Sequence, residues 1–334
     1  MQKRKIYNYS KVFIVVALLI LMAITNFKSF FTVSNLSSIL MSVSLYGIMA
    51  CGMMFPMLVS GPDLSISGTA AVGAMVAVKY IVANGYTVGS FFTGFLLAML
   101  VGAGIGIVLG ALIHFFDVPS FLTTLAAQYV LFGIAQIGLV SRVICTAPDI
   151  FCALGNGRFL GFPIQVYVFL AIVLIAAFLM HGTVFGRKCY MIGGNRKSAY
   201  LCGINAGPVV IGAFGLSGLL AAVAGVILAA MNQQASASAG SGYETNVLLS
   251  CVLGGASMGE GIGSIGGAVY GAIFVGLINN CMRMMGVPSL YQTSIVGLLI
   301  IAAMGFESYF KQIANGMHWS KKKSQKGVDT REIG

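Results

Sequence analysis

This sequence predicts an all-α integral membrane protein of about ten transmembrane helices, some short or broken, with N and C termini cytoplasmic. Three observations predict it. Hydrophobic residues make up 58% of the chain and charged residues only 8%, against about 25% charged in a soluble domain, so the chain cannot cover itself for water. Apolar runs approaching the ~20 residues that cross a hydrocarbon core recur from end to end. The cations gather at three separated places, as a membrane topology signal does.

The elements follow in order. A basic start, Met1 to Lys11, runs into the apolar stretch Val12 to Phe27 with no small-x-small cleavage site after it, which reads as an uncleaved helix near 12–31. Further spans fall near 36–59, 67–83, 90–115, 119–141, 164–181, 207–230, 246–258, 266–286 and 290–306. Pro56, Pro62 and the Gly-rich stretch 254–267 interrupt this pattern. Broken helices at membrane depth are tolerated only where they face protein or a water-filled path, which hints at a transporter. Gly102, Gly106 and Gly110 form a small-xxx-small ridge suited to close helix packing.

With ten spans and the N-terminus inside, the N-terminal tail, the 182–206 segment and the tail 307–334 are cytoplasmic. They hold four, four and six of the 19 Lys and Arg, leaving Lys28, Lys79, Arg142, Arg158 and Arg283 at or near the outer side. That bias supports the assumed orientation. The whole of 1–334 then reads as one transmembrane domain, with 182–206 as a cytoplasmic segment. The formal charge of +11 lies at these topological positions rather than on one face, so it points to membrane lipid and not to nucleic acid. Cys145 and Cys152 sit in the longest outer loop, where a disulfide and two thiols are equally compatible with the spacing.

Catalytic and cofactor patterns do not accumulate. Gly261-Ile-Gly263-Ser-Ile-Gly266 matches G-x-G-x-x-G, but between two membrane helices it reads as tight packing rather than a dinucleotide turn. There is no P-loop, so the chain cradles no ATP of its own. His114, His181 and His318 lack ligand spacing, and no metal site is expected. The chain reads as a non-enzyme.

Polar residues in the apolar frame carry the functional reading. Asp63 is the one acid inside a plausible helix break, in "SGPDLSISG" at 60–68, with Ser65 and Ser67 beside it. The segment suits a path for a polyhydroxylated solute, and Asp63 equally suits a cap for the next helix. Asn279 and Asn280 fit interhelical hydrogen bonding or a solute path. "QQASASAGSGY", Gln233 to Tyr243, precedes Glu244 and fits an outer gate, a contact surface for an external partner or a flexible loop. In the basic segment 183–205, Asn195 reads as an N-cap, Arg196 to Cys202 as two helical turns and Gly203 as the residue past the C-terminus. So short a helix needs a surface to lie on, and Ala199 with Cys202 offers a small apolar face.

These pieces together resemble the permease subunit of ribose/galactose-type ABC importers, nearly end to end. The resemblance is carried by "FFTVSNLSSIL", "SGPDLSISG", "DVPSFLTTLA", "FGRKCYMIGGNRKSAYLCGIN", "AGSGYETNVLLSCVLGGASMGEGIGSIGG" and "NNCMRMMGVPSLYQ" in that order. It implies a dimerising permease of the bacterial cytoplasmic (inner) membrane. Separate ABC ATPase subunits would use ATP and Mg, and a periplasmic or lipoprotein sugar-binding protein would deliver the solute. It also implies that Gly186, Arg187, Gly193, Gly194, Asn195, Ala199, Gly203 and Ile204 couple to the ATPase, and that Asp63, Leu64 and Ser65 lie by the solute path. The sequence departs from the family at Pro62 and Ser67-Gly68, and Asn246 stands where an acid is common. The alternative of another class is an ion-coupled secondary transporter or channel for a small polar solute.

Overall fold

The computed structural model describes residues 30–138, 143–146 and 148–314. The basic N-terminus, nearly all of the expected 12–31 helix, Arg142 and the tail beyond 314 lie outside the described residues. In chain order the helices are α1 (Val33–Val59), α2 (Ile66–Ala83), α3 (Val88–Phe115), α4 (Ser120–Gly138), α5 (Asp149–Asn156) and α6 (Ile164–Ala177). A π-helical turn, Phe178–Gly182, leads to α7 (Val184–Gly194) and α8 (Arg196–Leu201), followed by α9 (Ala206–Asn232), α10 (Tyr243–Leu253), α11 (Ile265–Met284) and α12 (Ser289–Ala314). Among the described residues seven stretches are long and apolar enough to cross a membrane: α1, α2, α3, α4, α6 with its π turn, α9 and α11.

α1 is the central post. From Val43 to Val59 it is buried throughout, as expected of a helix surrounded by other helices. Thr32 caps its start by accepting from the Asn35 amide at 3.3 Å. Pro56 does not interrupt it, contrary to the sequence expectation. The helix runs through Pro56 to Val59, and the Pro56 carbonyl accepts from both Ser60 (2.9 Å) and Gly61 (3.0 Å). The break falls after this point, at 60–65.

α3 and α9 cross so closely that a Cβ on Gly102 or Gly106 would overlap the Gly218 or Phe214 carbonyl oxygen. The glycine ridge is therefore packing surface, as its spacing predicts, because only hydrogen at these positions lets the two backbones touch.

α10 departs most from expectation, running 243–253 rather than 246–258. Gly254 and Gly255 end it, and a Cβ on Gly271 of α11 would overlap the Ser250 carbonyl. At 11 residues it is about 16 Å long, roughly half a hydrocarbon core.

The bundle has two contrasting ends. At one, Val143–Ile144 pairs antiparallel with Gln234–Ala235, and the Cys145 amide donates to the Gln233 carbonyl (2.9 Å). A second short hairpin, Arg158–Phe159 with Phe162–Pro163, lies in the same inter-helix loop. Cys152 donates its thiol to the Thr146 carbonyl (2.9 Å) rather than pairing with Cys145. At the other end the tip of α1, the 254–264 loop and α7 meet.

Candidate functional site

That meeting point is built from glycines. The Gly259 amide donates to the Met57 carbonyl (2.8 Å) and Gly261 to Leu58 (3.2 Å), so the 254–264 loop finishes the open end of α1. A Cβ on Gly193 would overlap the Leu58 carbonyl, and one on Gly261 would stand 2.5 Å from the Tyr190 carbonyl. Gly261 also has φ +64, a conformation costly for any residue with a side chain. The Tyr190 hydroxyl donates to Gly263 (2.8 Å). So the G-x-G-x-x-G match is a packing device, and α7 is locked onto both helix breaks.

The basic segment is two helices, not one. A first helix, α7, precedes the expected one, and Gly193-Gly194 are its last residues, directly before the Asn195 cap. Thr183 caps α7 by accepting from Gly186 (3.3 Å), and Gly186 has no room for a Cβ under the Met180 carbonyl. The expected cap of α8 is present: Asn195 Oδ1 accepts from the Ser198 amide (2.9 Å). Gly203, at φ +77, donates to Tyr200 (2.9 Å) and Ile204 to Ala199 (3.0 Å), which closes the C-terminus. Ala199 and Cys202 do not share an outward face. Ala199 is 3% exposed and turned into its own bundle, while Tyr200 and Leu201 are 76% and 77% exposed, with Cys202 also outward. Arg187, Gly194, Asn195, Arg196 and Lys197 are exposed as well. Burial pushes the Cys189 thiol on the inner face of α7 up to about 12 and raises Tyr190.

Arg196 reaches back from α8 to the α3–α4 turn. Its guanidinium lies 3.6 Å from Asp117 Oδ1 and 3.2 Å from His114 Nδ1. Both charges are solvent-exposed, so the pair contributes about 0–1 kcal/mol.

Asp63 is 1% exposed and fully partnered. Oδ1 accepts from the Ser65 amide (3.0 Å) and hydroxyl (2.5 Å), and Oδ2 from Ser217 on α9 (2.7 Å). Thr124 on α4 accepts from the Leu64 amide (3.1 Å), and Ser120 donates to the Ser60 carbonyl (3.2 Å). Ser67 donates to Glu244 Oε2 (2.5 Å) and accepts from the Glu244 amide (2.9 Å), which pins the start of α10 to the first turn of α2. Glu244 thus packs on the first turn of α2, just past the break. Gln233 ends α9 in a left-handed conformation beside the strand pair.

Asn279 and Asn280 part company. Asn280 forms a reciprocal amide pair with Asn35 of α1 (2.7 and 3.3 Å). Asn279 donates to Asn246 Oδ1 (3.0 Å) and to the Tyr46 hydroxyl (3.5 Å). Those three side chains, with Tyr243, Arg283 and Gln292, line a cavity of about 260 Å³. Sequence reading marks Asn246 only as a departure from the family and does not mark Tyr46 or Gln292, since nothing local shows residues from α1, α10 and α12 to be neighbours.

A G-x-S-x-G match also escaped it: Gly255-Ala256-Ser257-Met258-Gly259. It joins two helices rather than a strand and a helix, and Ser257 donates to Glu260 (2.7 Å), so it is no nucleophile elbow. Among the described residues no three His, Cys, Asp or Glu side chains form a metal-binding group.

The family model described as branched-chain amino acid transport system / permease component matches residues 35–304. The chain is similar to the ribose import permease protein RbsC of Escherichia coli K12, 36% identical over 295 residues covering 86% of this chain and 91% of that protein. It is 32% identical over 280 residues to the L-arabinose ABC transporter permease protein AraH of Azospirillum brasilense, covering 84% and 81%. It is 33% identical over 289 residues to the ribose import permease protein RbsC of Bacillus subtilis, covering 86% and 88%. No solved structure matches the chain.

Proposed function

Because this chain belongs to the family of branched-chain amino acid transport system permease components, we propose that it is the transmembrane permease of an ATP-driven ABC importer for a sugar or sugar-like solute. Relatives named for ribose and arabinose at 30–36% identity favour a pentose-sized solute over the amino acids of the family description. Separate ATPase subunits use ATP and Mg, and a binding protein outside the membrane delivers the solute to a pair of permease chains.

The observation that carries this reading is the outward face of α7–α8. Tyr200, Leu201 and Met191 stand exposed among Arg187, Arg196 and Lys197, while the inner face is wedged by Gly193 against the tip of α1 and the 254–264 loop. An exposed apolar patch rimmed by cations suits a protein partner. An ATPase that moved this face would move both helix breaks with it, biasing the bundle between its outward and inward states. Gly186, Arg187, Gly193, Gly194, Asn195, Ala199, Gly203 and Ile204 are thus read as coupling residues, Ala199 acting from the inner face. Asp63, Ser65 and Ser67 hold the break about which the solute path opens, and Asn279 lies on the path itself. Asn280 acts beside it by holding α1 to α11. Gln233, Tyr243 and Glu244 set the entrance to the half-length α10.

Ten crossings with both termini cytoplasmic follow if α10 with 233–242 counts as one crossing and the apolar 12–31 stretch as the first. The test is reconstitution in liposomes with a partner ABC ATPase and a sugar-binding protein. D-ribose or L-arabinose uptake that needs ATP is expected. Uptake driven by an ion gradient with no ATPase present favours a secondary carrier instead.

A further inference from the structure

The cavities between the spanning helices are of two kinds. One of about 400 Å³, touching Phe55, Met99 and Leu220, and one of about 660 Å³ between α3 and α4 have almost wholly apolar walls, as grooves facing lipid chains do. The cavity beside Asn279 is different. Its walls come from α1, the start of α10 with Ser241 and Gly242 before it, α11 and α12, and they are mostly polar.

Polar side chains inside spanning helices are costly unless they bond to one another, to water or to a ligand. Here they are bonded to one another in a fixed frame. Asn279 bridges Asn246 and Tyr46 through its amide N–H, and Asn246 donates to the Gly242 carbonyl (3.2 Å). That frame sets carboxamide and phenol groups at one edge of the space. The Tyr46 and Tyr243 rings meet edge to face with centroids 5.1 Å apart and form an apolar wall at another. Non-helical backbone, Gly242 at φ +86, lines the cavity at the start of α10, and such backbone persists at membrane depth where it borders a path.

Charge narrows the occupant. Glu244 faces away, its carboxylate taken by Ser67 and the Gly242 amide (3.1 Å). Arg283 stands exposed at the rim with its guanidinium on Ser42 (3.4 Å). No carboxylate lines the space and the one charge at it is the Arg283 cation, so the lining disfavours a cationic occupant. At about 260 Å³ it falls just below the ~300–1,000 Å³ of drug-sized sites and suits one small ring.

We propose that this cavity is a binding site for a single neutral monosaccharide in transit, and that Tyr46, Asn246 and Asn279 recognise its hydroxyls. The proposal rests on the sugar-permease reading. Hydroxyls on the ring edge exchange hydrogen bonds with the carboxamides, while the C–H face packs on the tyrosine rings. Selectivity is then set inside the membrane as well as by the external binding protein, because a site built to bond a hydroxyl rejects an analogue lacking it or misplacing it.

The test uses the permease, its ATPase and its binding protein together in liposomes, reading ATP-driven uptake of radiolabelled D-ribose and L-arabinose alongside binding-protein-stimulated ATP hydrolysis. Asn279→Leu should lower uptake about tenfold while stimulated hydrolysis stays within about twofold of wild type. The conservative Asn246→Ser and Tyr46→Phe should keep the fold and shift the ribose-to-arabinose uptake ratio about threefold or more, which a purely structural defect does not do. Absence of ATP-driven sugar uptake by the wild type overturns both the permease reading and the site. Wild-type uptake with all three variants unchanged in rate and ratio overturns the site alone, as does a parallel loss of uptake and hydrolysis with no change of ratio.

Discussion

Ser217, in the middle of α9, donates its hydroxyl to Asp63 Oδ2 across 2.7 Å, and neither side chain is open to solvent. The bond ties α9 to the break between α1 and α2. With Ser65 on the other oxygen, the carboxylate is satisfied on both sides, so the break is a fixed joint. The same joint reaches α4 through Thr124 and Ser120, and α10 through Ser67 and Glu244.

Removing Ser217 should therefore destabilise the bundle without touching its exterior. Ser217→Ala leaves one carboxylate oxygen buried and unbonded, which costs about 1–3 kcal/mol. The midpoint of heat-induced aggregation in detergent should fall by several degrees, and Asp63→Leu should lower it further by orphaning Ser65 and Ser217 together. An unchanged midpoint for Ser217→Ala shows that the joint does not hold the helices.

Long elements were legible because the hydrocarbon core imposes one rule, a run of apolar residues, and α2, α3, α9 and α11 obey it. Asn195 and Gly203 were legible because caps are local chemistry. The start of α10 was not, because Glu244 is placed by Ser67, 177 residues away. Nor was α7, whose Gly193-Gly194 reads locally as a turn until Leu58 and Gly261 fill the space beside it. The cavity needed four elements brought together, and of its lining only Asn279 and Tyr243 stood out alone as functional candidates.

Gly193 and Gly194 should behave oppositely although they are neighbours. A methyl at Gly193 has to push α7 off the Leu58 carbonyl, whereas one at Gly194 meets nothing within 4 Å. Gly193→Ala should cut solute uptake about tenfold or more while ATP hydrolysis persists, because the wedge between α7 and α1 is lost. Gly194→Ala leaves that wedge intact, so its loss of uptake should be much smaller than that of Gly193→Ala. Equal behaviour of the two removes the wedge from the coupling mechanism.

Thiol labelling reads the orientation and the packing together. Cys202 is exposed and Cys152 partly so, while the other described cysteines are buried. A membrane-impermeant maleimide should label Cys202 only in inverted vesicles and Cys152 only in right-side-out ones. Cys189, nearby on the inner face of α7, should resist. Burial raises its pKa to about 12, and a raised thiol pKa means the reactive thiolate is scarce at neutral pH and grows only as pH climbs toward that value. Labelling of Cys202 from the outside overturns the cytoplasmic placement of α7–α8.

Asn195 is the last control point. It ends α7 by donating its amide to Met191 (3.1 Å) and starts α8 by accepting from Ser198, so one residue sets the angle between the two helices. Asn195→Ala keeps the backbone bond and loses the cap, costing about 1 kcal/mol, which a six-residue helix has little reserve to absorb. Co-purification with the ATPase and solute uptake should both fall. Asn195→Asp, which caps equally well, should restore both, even though it places an anion in a basic segment. If Asn195→Asp is as defective as Asn195→Ala, the side chain acts through its amide on a partner and not through the cap. If both variants match wild type, α8 is held by Ala199 and the closing bonds at Gly203 and Ile204 alone.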